Sequence, residues 1–153
     1  MYKKKYLKYK LKYLNLKNKQ NGGSKEYNIL KTLEESDLSY KKLLSELDKT
    51  NNKIMIVFYA PWCHFCQKFI ENPTGTYIDL IKSPELNIYK VDITNRENKD
   101  VVDIENKILE LDNVLGQIVA FPTLLKIDIK NKKISHFKGN REDINMIKKF
   151  FNE

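Results

Sequence analysis

The two cysteines of this 153-residue chain lie together, where an apolar stretch gives way to a helical pattern. Residues 54–60 are apolar and rich in β-branched side chains, which predicts a buried strand. The run Pro61-Trp62-Cys63-His64-Phe65-Cys66 follows directly. Two thiols at this spacing between a strand and a helix are typical of a redox site, because the start of a helix stabilises a thiolate. We expect Cys63 to be the nucleophile and Cys66, one turn further, to resolve the mixed disulfide.

The positive charge of the chain is concentrated at its beginning. The formal net charge is +8, yet residues 1–23 alone contain eight lysines and no acidic residue. Residues 24–153 contain twenty basic and twenty acidic residues and are therefore electrically balanced. We predict a basic arm over residues 1–23 and one domain over residues 24–153, long enough to bury a core without disulfide bonds. Any attraction to anionic partners then belongs to the arm.

The basic arm leaves several interpretations open. Its tyrosines and leucines form two stripes on opposite sides of a helix: Tyr2, Tyr6, Tyr9, Tyr13 and Leu16, and then Leu7, Leu11 and Leu14. A helix with two apolar stripes would contact two surfaces or partner helices. The alternative is a mobile, lysine-rich arm. Binding of nucleic acid through the lysines and tyrosines is a third interpretation, which we favour less.

Neither a membrane span nor a secretory leader is expected. No apolar run approaches the length that crosses a bilayer. The start of the chain lacks the apolar central region and the small-residue cleavage site of a signal peptide. Two cysteines are too few for a disulfide-dense secreted scaffold. They do not define the compartment, because a redox pair works in reducing or oxidising surroundings.

From residue 25 onward, the apolar periodicity alternates between that of helices and that of strands. Residues 27–33 are a short first strand or an irregular lead-in. The later segments predict a mixed sheet with helices on both faces, an α/β fold. We expect Asn131 to take unusual backbone angles in the turn of the last hairpin. The predicted elements are a helix over 38–47, a strand over 54–59, a helix that opens at the cysteines, breaks near Pro73 and resumes at Leu80-Ile81, a strand over 86–92, a helix over 99–115, strands over 124–129 and 134–137, and a last helix over 144–151.

Four segments of the chain resemble the thioredoxin superfamily, most closely its protein disulfide isomerase branch. The segment from Phe58 to Cys66 is similar to the active-site segment of that branch. Three further segments occur in the family's order: Lys90-Val91-Asp92, Ala120-Phe121-Pro122-Thr123 and Phe137-Lys138-Gly139-Asn140-Arg141. The resemblance implies a thioredoxin-like three-layer fold and a thiol–disulfide oxidoreductase that acts on protein thiols and disulfides. It also implies a redox disulfide between Cys63 and Cys66, and no cofactor.

The same resemblance implies how a substrate binds. A cis peptide bond between Phe121 and Pro122 would place Pro122 opposite the cysteines. The backbone of Phe121 would then pair with an extended substrate segment. Trp62 would form an apolar shoulder beside Cys63, with a plain core aromatic as the alternative.

The two residues inside the motif, His64 and Phe65, tune the thiolate through local charge and exposure. A protonated His64 would stabilise the Cys63 thiolate and make the pair more oxidising. A neutral His64 that points outward would do little. We expect a moderately oxidising pair.

Some residues depart from the family pattern. Val57 lies six residues before Cys63, where the family usually carries a buried acid that helps to move the proton of the second thiol. Val119 stands where many disulfide isomerases have arginine, and Gln67 stands where a lysine is usual. These departures favour a second interpretation, a redox-sluggish thioredoxin-fold module with a structural or binding role that docks through the basic arm.

Zinc binding is the main chemical alternative. The two cysteines and two histidines match a zinc site in number only. His64 lies between the cysteines and His136 belongs to a distant strand, whereas structural zinc sites favour separated pairs of ligands. We expect no metal, and we expect His136 to be a half-exposed strand residue.

The basic arm is similar to the N-terminal segments of many proteins of giant amoeba-infecting DNA viruses. The similarity rests on residues 6–14, on Leu16-Lys17-Asn18 and on Gly22-Gly23. It implies a partner in a virus particle or its assembly, and a virion or viral-factory location in the host cytoplasm. Without it, a cytoplasmic location is expected. Gly23-Ser24 would also fit a cleavage site of the Gly-Gly-x type.

Overall fold

The computed structural model describes residues 38–70 and 76–153. The basic arm, the segment over residues 27–33 and the break near Pro73 lie outside the described residues, so the sequence predictions for them stay predictions. Helix α1 covers residues 38–47. The other elements are β1 (Lys53–Tyr59), α2 (His64–Ile70), α3 (Thr76–Ile81), β2 (Ile88–Asp92), α4 (Lys99–Leu111), β3 (Thr123–Asp128), β4 (Lys133–His136) and α5 (Ile144–Asn152).

The described strands form one mixed sheet in the order β2-β1-β3-β4. Strands β1 and β2 are parallel, with Tyr59 opposite Asp92. Strand β3 runs antiparallel to β1, and β4 returns beside β3 as a hairpin. The parallel pair requires a crossover connection, which carries α2 and α3. Strand β1 is therefore an inner strand of the sheet, and the turn that carries the cysteines begins at its end.

Strand β1 is buried on both faces, and this explains its unbroken apolar sequence. All five residues from Ile54 to Phe58 have no exposed surface. Alternate side chains point to opposite faces, so Ile56 and Val57 enter different cores. A strand covered on both faces is expected to be continuously apolar rather than alternating.

Two apolar cores fill the space between the sheet and its helices. The first lies between the sheet and helices α1 and α4, and includes Leu43, Ile104 and Ile108. The second lies under helices α2, α3 and α5, and includes Leu80 and Ile147. Each fully buried aliphatic side chain stabilises the fold by about 1.5–3 kcal/mol relative to exposure. The predicted three-layer α/β fold, with helices on both faces of a mixed sheet, is confirmed.

Helix α4 ends earlier than its apolar periodicity predicts. The backbone of Asp112 is extended, and its carboxylate accepts hydrogen bonds from the backbone N–H groups of Val114 and Leu115. The N–H of Gly116 then bonds to the carbonyl of Asp112. Leu115 is 42% exposed and lies beyond the helix, so the prediction that the helix extends to residue 115 is wrong. Strand β2 likewise begins at Ile88 rather than at residue 86.

The turn of the β3–β4 hairpin differs from its prediction in one residue. Lys132, not Asn131, has the positive φ, at 51°. The side chain of Asn131 instead donates to the Asp128 carboxylate over 2.7 Å. An amide that bonds back to a preceding carboxylate stabilises a turn without adopting the left-handed conformation itself.

Within the described residues, none of the helices is both long enough and apolar enough to cross a membrane.

Candidate active site

The end of β1 and the start of α2 fix the position of Cys63. After Tyr59 the chain turns, and the N–H of Cys63 donates to the carbonyl of Ala60 over 3.0 Å. Helix α2 then begins at His64, and the N–H of Gln67 donates to the carbonyl of Cys63 over 3.0 Å. The Gln67 side chain also donates to the carbonyl of Pro61 over 2.7 Å, which ties the turn to the first turn of the helix. Gln67, a departure from the family pattern, thus stabilises the turn that carries Cys63.

The two cysteines are free thiols in very different surroundings. Cys63 is 9% exposed and lies at the edge of the protein, whereas Cys66 is 1% exposed. The backbone N–H of Cys66 donates to the sulfur of Cys63 over 3.4 Å. Cys63 is thus the less buried of the two residues, and its sulfur is the one that receives a backbone hydrogen bond.

Burial raises the pKa of the Cys66 thiol from 9.0 to about 12. A hydrogen bond with Cys63 contributes to this rise, a bond with the backbone of Ala60 and the positive charge of Arg141 oppose it, and the net pKa is about 12. Cys66 therefore carries its proton at neutral pH. It attacks a neighbouring sulfur only after that proton has been lost.

The Phe121–Pro122 peptide bond is cis, as the family resemblance implies. The loop lies against the thiols, because the Cys63 sulfur is 3.7 Å from the carbonyl oxygen of Phe121, to which the thiol donates. Phe121 packs on the small apolar cluster of the two cysteines and Ala60. The Thr123 hydroxyl donates to the carbonyl of Ala120 over 2.6 Å and closes the loop.

Exposed aromatic side chains flank the edge thiol. Trp62 is 71% exposed, and its ring meets that of Phe121 edge-on with the centroids 5.8 Å apart. The interpretation of Trp62 as a core aromatic is therefore wrong, while its position beside Cys63 is the expected one. Phe65 is also 71% exposed, and His64 faces solvent. The two residues inside the motif thus lie at the surface.

A groove with a volume of about 640 Å³ begins beside the cis bond. It runs between helix α2 and the loop that follows β4, and its lining mixes aromatic and charged side chains. The lining residues are Phe65, Lys68, Phe69, Thr76, Phe121, Pro122, Gly139, Asn140, Arg141 and Glu142. Arg141 lies in a segment that resembles the family, but its sequence position alone indicates no function for it. Nothing in the local sequence indicates that this loop lies opposite α2.

Two valines mark the departures from the family pattern. Val57 is fully buried in the core beneath α2, α3 and α5, so no carboxylate is available at that position. Val119 is 88% exposed just before the cis bond. At position 57 there is therefore no group that could accept a proton. Val119 adds exposed apolar surface just before the cis bond.

The histidines do not join the cysteines in a common cluster. His136 is half-buried on β4, and its Nε2 atom forms a hydrogen bond with the carbonyl of Leu115. Among the described residues there is no group of three or more His, Cys, Asp or Glu side chains that could hold a metal ion.

Comparison with known proteins places this geometry in a family. A model of the thioredoxin-like domain matches residues 40–152, from the third residue of α1 to the end of α5. The chain belongs to the thioredoxin-like family.

Two relatives illustrate the range of this similarity. A protein disulfide-isomerase of Medicago sativa is 31% identical over 118 residues, which covers 71% of this chain and 21% of that protein. Thioredoxin 2 of Plasmodium berghei (strain Anka) is 29% identical over 127 residues, which covers 80% of this chain and 68% of that protein. The chain therefore spans about a fifth of the length of the first relative and about two thirds of the second. At this general level, the comparisons support a thiol–disulfide oxidoreductase.

Proposed function

We propose that this protein exchanges disulfides with other proteins through Cys63 and Cys66. The proposal rests on one observation: the two thiols, three residues apart, differ in burial and in hydrogen bonding. Cys63 is 9% exposed and its sulfur accepts a hydrogen bond from the backbone N–H of Cys66 over 3.4 Å, whereas Cys66 is 1% exposed. This arrangement suits an attacking thiol and a resolving thiol.

The first step is attack by the Cys63 thiolate on one sulfur of a substrate disulfide. A bond forms between the Cys63 sulfur and that substrate sulfur, the substrate S–S bond breaks, and the other substrate sulfur leaves as a thiolate that takes up a proton. The N–H of Cys66 stabilises the attacking thiolate before the step. The substrate backbone would pair with Phe121, next to Pro122, while Trp62 covers one side of the reacting sulfurs.

The second step is attack by Cys66 on the sulfur of Cys63. Cys66 first gives up its proton, then forms the Cys63–Cys66 disulfide and releases the second substrate thiolate. The substrate has gained two electrons and the enzyme has lost two. A thiol reductant returns the pair to the dithiol form. The reverse sequence oxidises a substrate dithiol, and His64 and Phe65 would set the balance between the two directions through the charge and exposure around Cys63.

The proposal also includes the class of substrate, the partner of the basic arm and the location of the protein. The similarity to a protein disulfide-isomerase favours folded or folding proteins as substrates, with no cofactor. The basic arm over residues 1–23 would dock the domain, over residues 24–153, to a partner in a virus particle or its assembly. The location would then be the virion or the viral factory, or otherwise the cytoplasm. Nucleic acid is the less favoured partner of the arm, and its test is salt-sensitive retention on DNA that is lost when residues 1–23 are deleted.

The test of the function is the reduction and oxidation of a protein disulfide by the full chain. Cys63→Ser should abolish both reactions, because a hydroxyl does not replace a thiolate. Cys66→Ser should instead accumulate a mixed disulfide between Cys63 and the substrate, visible as a mass increase that a reductant reverses. Turnover by Cys63→Ser at the wild-type rate would contradict the proposal.

A second function, a redox-sluggish module with a structural or binding role, is favoured by the surroundings of Cys66. Its pKa is raised to about 12, and the position where the family usually carries a proton-accepting acid is the buried Val57. If Cys66→Ser forms no mixed disulfide with any protein disulfide, even at alkaline pH, this second function replaces the first.

A further inference from the structure

The groove beside the thiols carries a positive charge that is not paired within the described residues. Its charged lining residues are Lys68, Arg141 and Glu142. Lys68 on α2 forms an ion pair with Glu142 across the groove. Arg141 forms neither a hydrogen bond nor an ion pair with any residue that the structure describes. Among the lining residues that the structure describes, Arg141 is therefore the cation without an ion-pair partner.

The charge of Arg141 is near the reacting sulfurs. It lowers the pKa of Cys66, against the effect of burial, so its field reaches the interior thiol. The same groove is lined by Phe121 and Pro122, and the Phe121 carbonyl is 3.7 Å from the Cys63 sulfur. A substrate segment bound through Cys63 would thus enter the groove within a few residues of its own cysteine.

The remaining walls favour an extended peptide. Phe65, Phe69 and Phe121 supply apolar surface along the groove. The Lys68–Glu142 pair has side chains 59% and 64% exposed, so it is held weakly and offers no second fixed charge. A guanidinium presents several N–H groups in a planar fork that matches a carboxylate.

We infer that this groove selects substrate segments with an aspartate or glutamate close to the reacting cysteine, and that Arg141 binds that carboxylate. The inference rests on the proposed function and names its substrate class. In the mixed disulfide, the substrate cysteine is bonded to Cys63, and the acidic side chain lies in the groove against the guanidinium. Arg141 forms no covalent bond and moves no proton.

The test uses the full chain and a series of peptides joined through a disulfide to a fluorescent reporter thiol. The peptides differ only in the residue beside the cysteine, which is glutamate, glutamine or lysine, placed before or after it. We expect a kcat/KM for the glutamate peptide about three- to tenfold above that for the glutamine peptide in one of the two placements. The lysine peptide should react more slowly still. The preference should shrink at about 1 M salt, where exposed charges are screened.

Matched variants separate substrate binding from other effects of the charge. Arg141→Met should lower the ratio of kcat/KM between the glutamate and glutamine peptides to about one, whereas an effect through the Cys66 thiol would slow both peptides by the same factor and leave this ratio unchanged. Arg141→Lys should keep part of the preference, because the charge remains and the fork is lost. Lys138→Gln removes an equal charge from an exposed residue of the same loop that does not line the groove, and should keep the full preference.

Three outcomes would overturn the inference. One is equal rates with glutamate and glutamine peptides in the wild type. Another is an Arg141→Met variant that slows all peptides equally, which would assign Arg141 to the thiols and not to the substrate. The third is a preference for glutathione disulfide over its neutral diester with no preference among the peptides, which would assign the groove to a small anionic disulfide. Absence of exchange with every peptide would instead contradict the proposed function itself.

Discussion

Cys63 and Cys66 are three residues apart in sequence, yet the surroundings of their thiols differ. Cys63 is the less buried of the two, with a backbone N–H group directed at its sulfur and exposed aromatic rings beside it. Cys66 lies in the apolar interior, and burial raises the pKa of its thiol to about 12. Under the proposed function, this difference would assign the attack to Cys63 and the proton-limited step to Cys66.

We expect the largest effects when either thiol is removed by substitution. Cys63→Ser should lower disulfide exchange by at least about a thousandfold, since no other thiolate is available at the surface. Cys66→Ser should leave the first attack within about threefold of wild type, because the hydrogen bond to Cys63 comes from the backbone of residue 66. Stopped-flow measurement of the reporter thiol and mass spectrometry of the product distinguish the two variants. Equal losses in both would contradict the division of roles.

The second effect is the pH dependence of the resolving step. Because the pKa of Cys66 is raised, its thiol is protonated near neutrality and its thiolate fraction grows about tenfold with each pH unit below that pKa. The release of the second substrate thiol should therefore accelerate by about a hundredfold between about pH 8 and about pH 10, whereas a thiol with the ordinary pKa of 9.0 would gain only about tenfold. In the mixed disulfide the hydrogen bond with the Cys63 thiol is absent, but burial, the larger cause, remains. A resolving rate that levels off near pH 9 would show that the pKa is not raised.

The third effect is restoration of an acid at position 57. Val57→Glu should accelerate the resolving step near neutral pH by about tenfold, since a buried carboxylate with a raised pKa can accept the Cys66 proton. The same substitution should lower the free energy of unfolding by about 2–4 kcal/mol, because Val57 is fully buried.

Met55→Glu is the matched control for Val57→Glu. Met55 is equally buried, on the same face of β1 and in the same core. It should lose similar stability, measured by urea unfolding, with no gain in rate. Equal acceleration in both variants would point to a general loosening of the fold.

The smallest effect concerns the surface beside Cys63. Trp62→Ala should raise KM for protein substrates by about two- to fivefold, because it removes exposed apolar area and the edge-on contact with Phe121. Stability should change by less than about 0.5–1 kcal/mol, since Trp62 is 71% exposed. Trp62→Phe should retain most of the binding. A large loss of stability on alanine substitution would show that the side chain belongs to the core.

The fold could be predicted because its signals are local. The unbroken apolar run of β1 reports burial on both faces, and the periodicities of the flanking helices report which sides face the sheet. The cysteine spacing located the site, since strand end, turn and helix start are contiguous in sequence. The cis bond at Pro122 followed from a resemblance and not from its residues alone.

The features that could not be predicted depend on groups far apart in sequence or on competing local bonds. The end of α4 at Leu111 is decided by the Asp112 carboxylate, which bonds to backbone N–H groups that a longer helix would use. The exposure of Trp62 depends on where the Phe121 loop lies. Arg141 faces α2 only because the sheet brings the loop after β4 to that helix.

The most direct test of the central claim is the equilibrium of the cysteine pair against a series of glutathione redox buffers. After alkylation, mass spectrometry counts the free thiols in each buffer. We expect Cys63 and Cys66 to lose their thiols together, as one two-electron transition within the series, and the mixed disulfide with glutathione to form on Cys63. A pair that stays in one redox state throughout, or a mixed disulfide on Cys66, would contradict this claim.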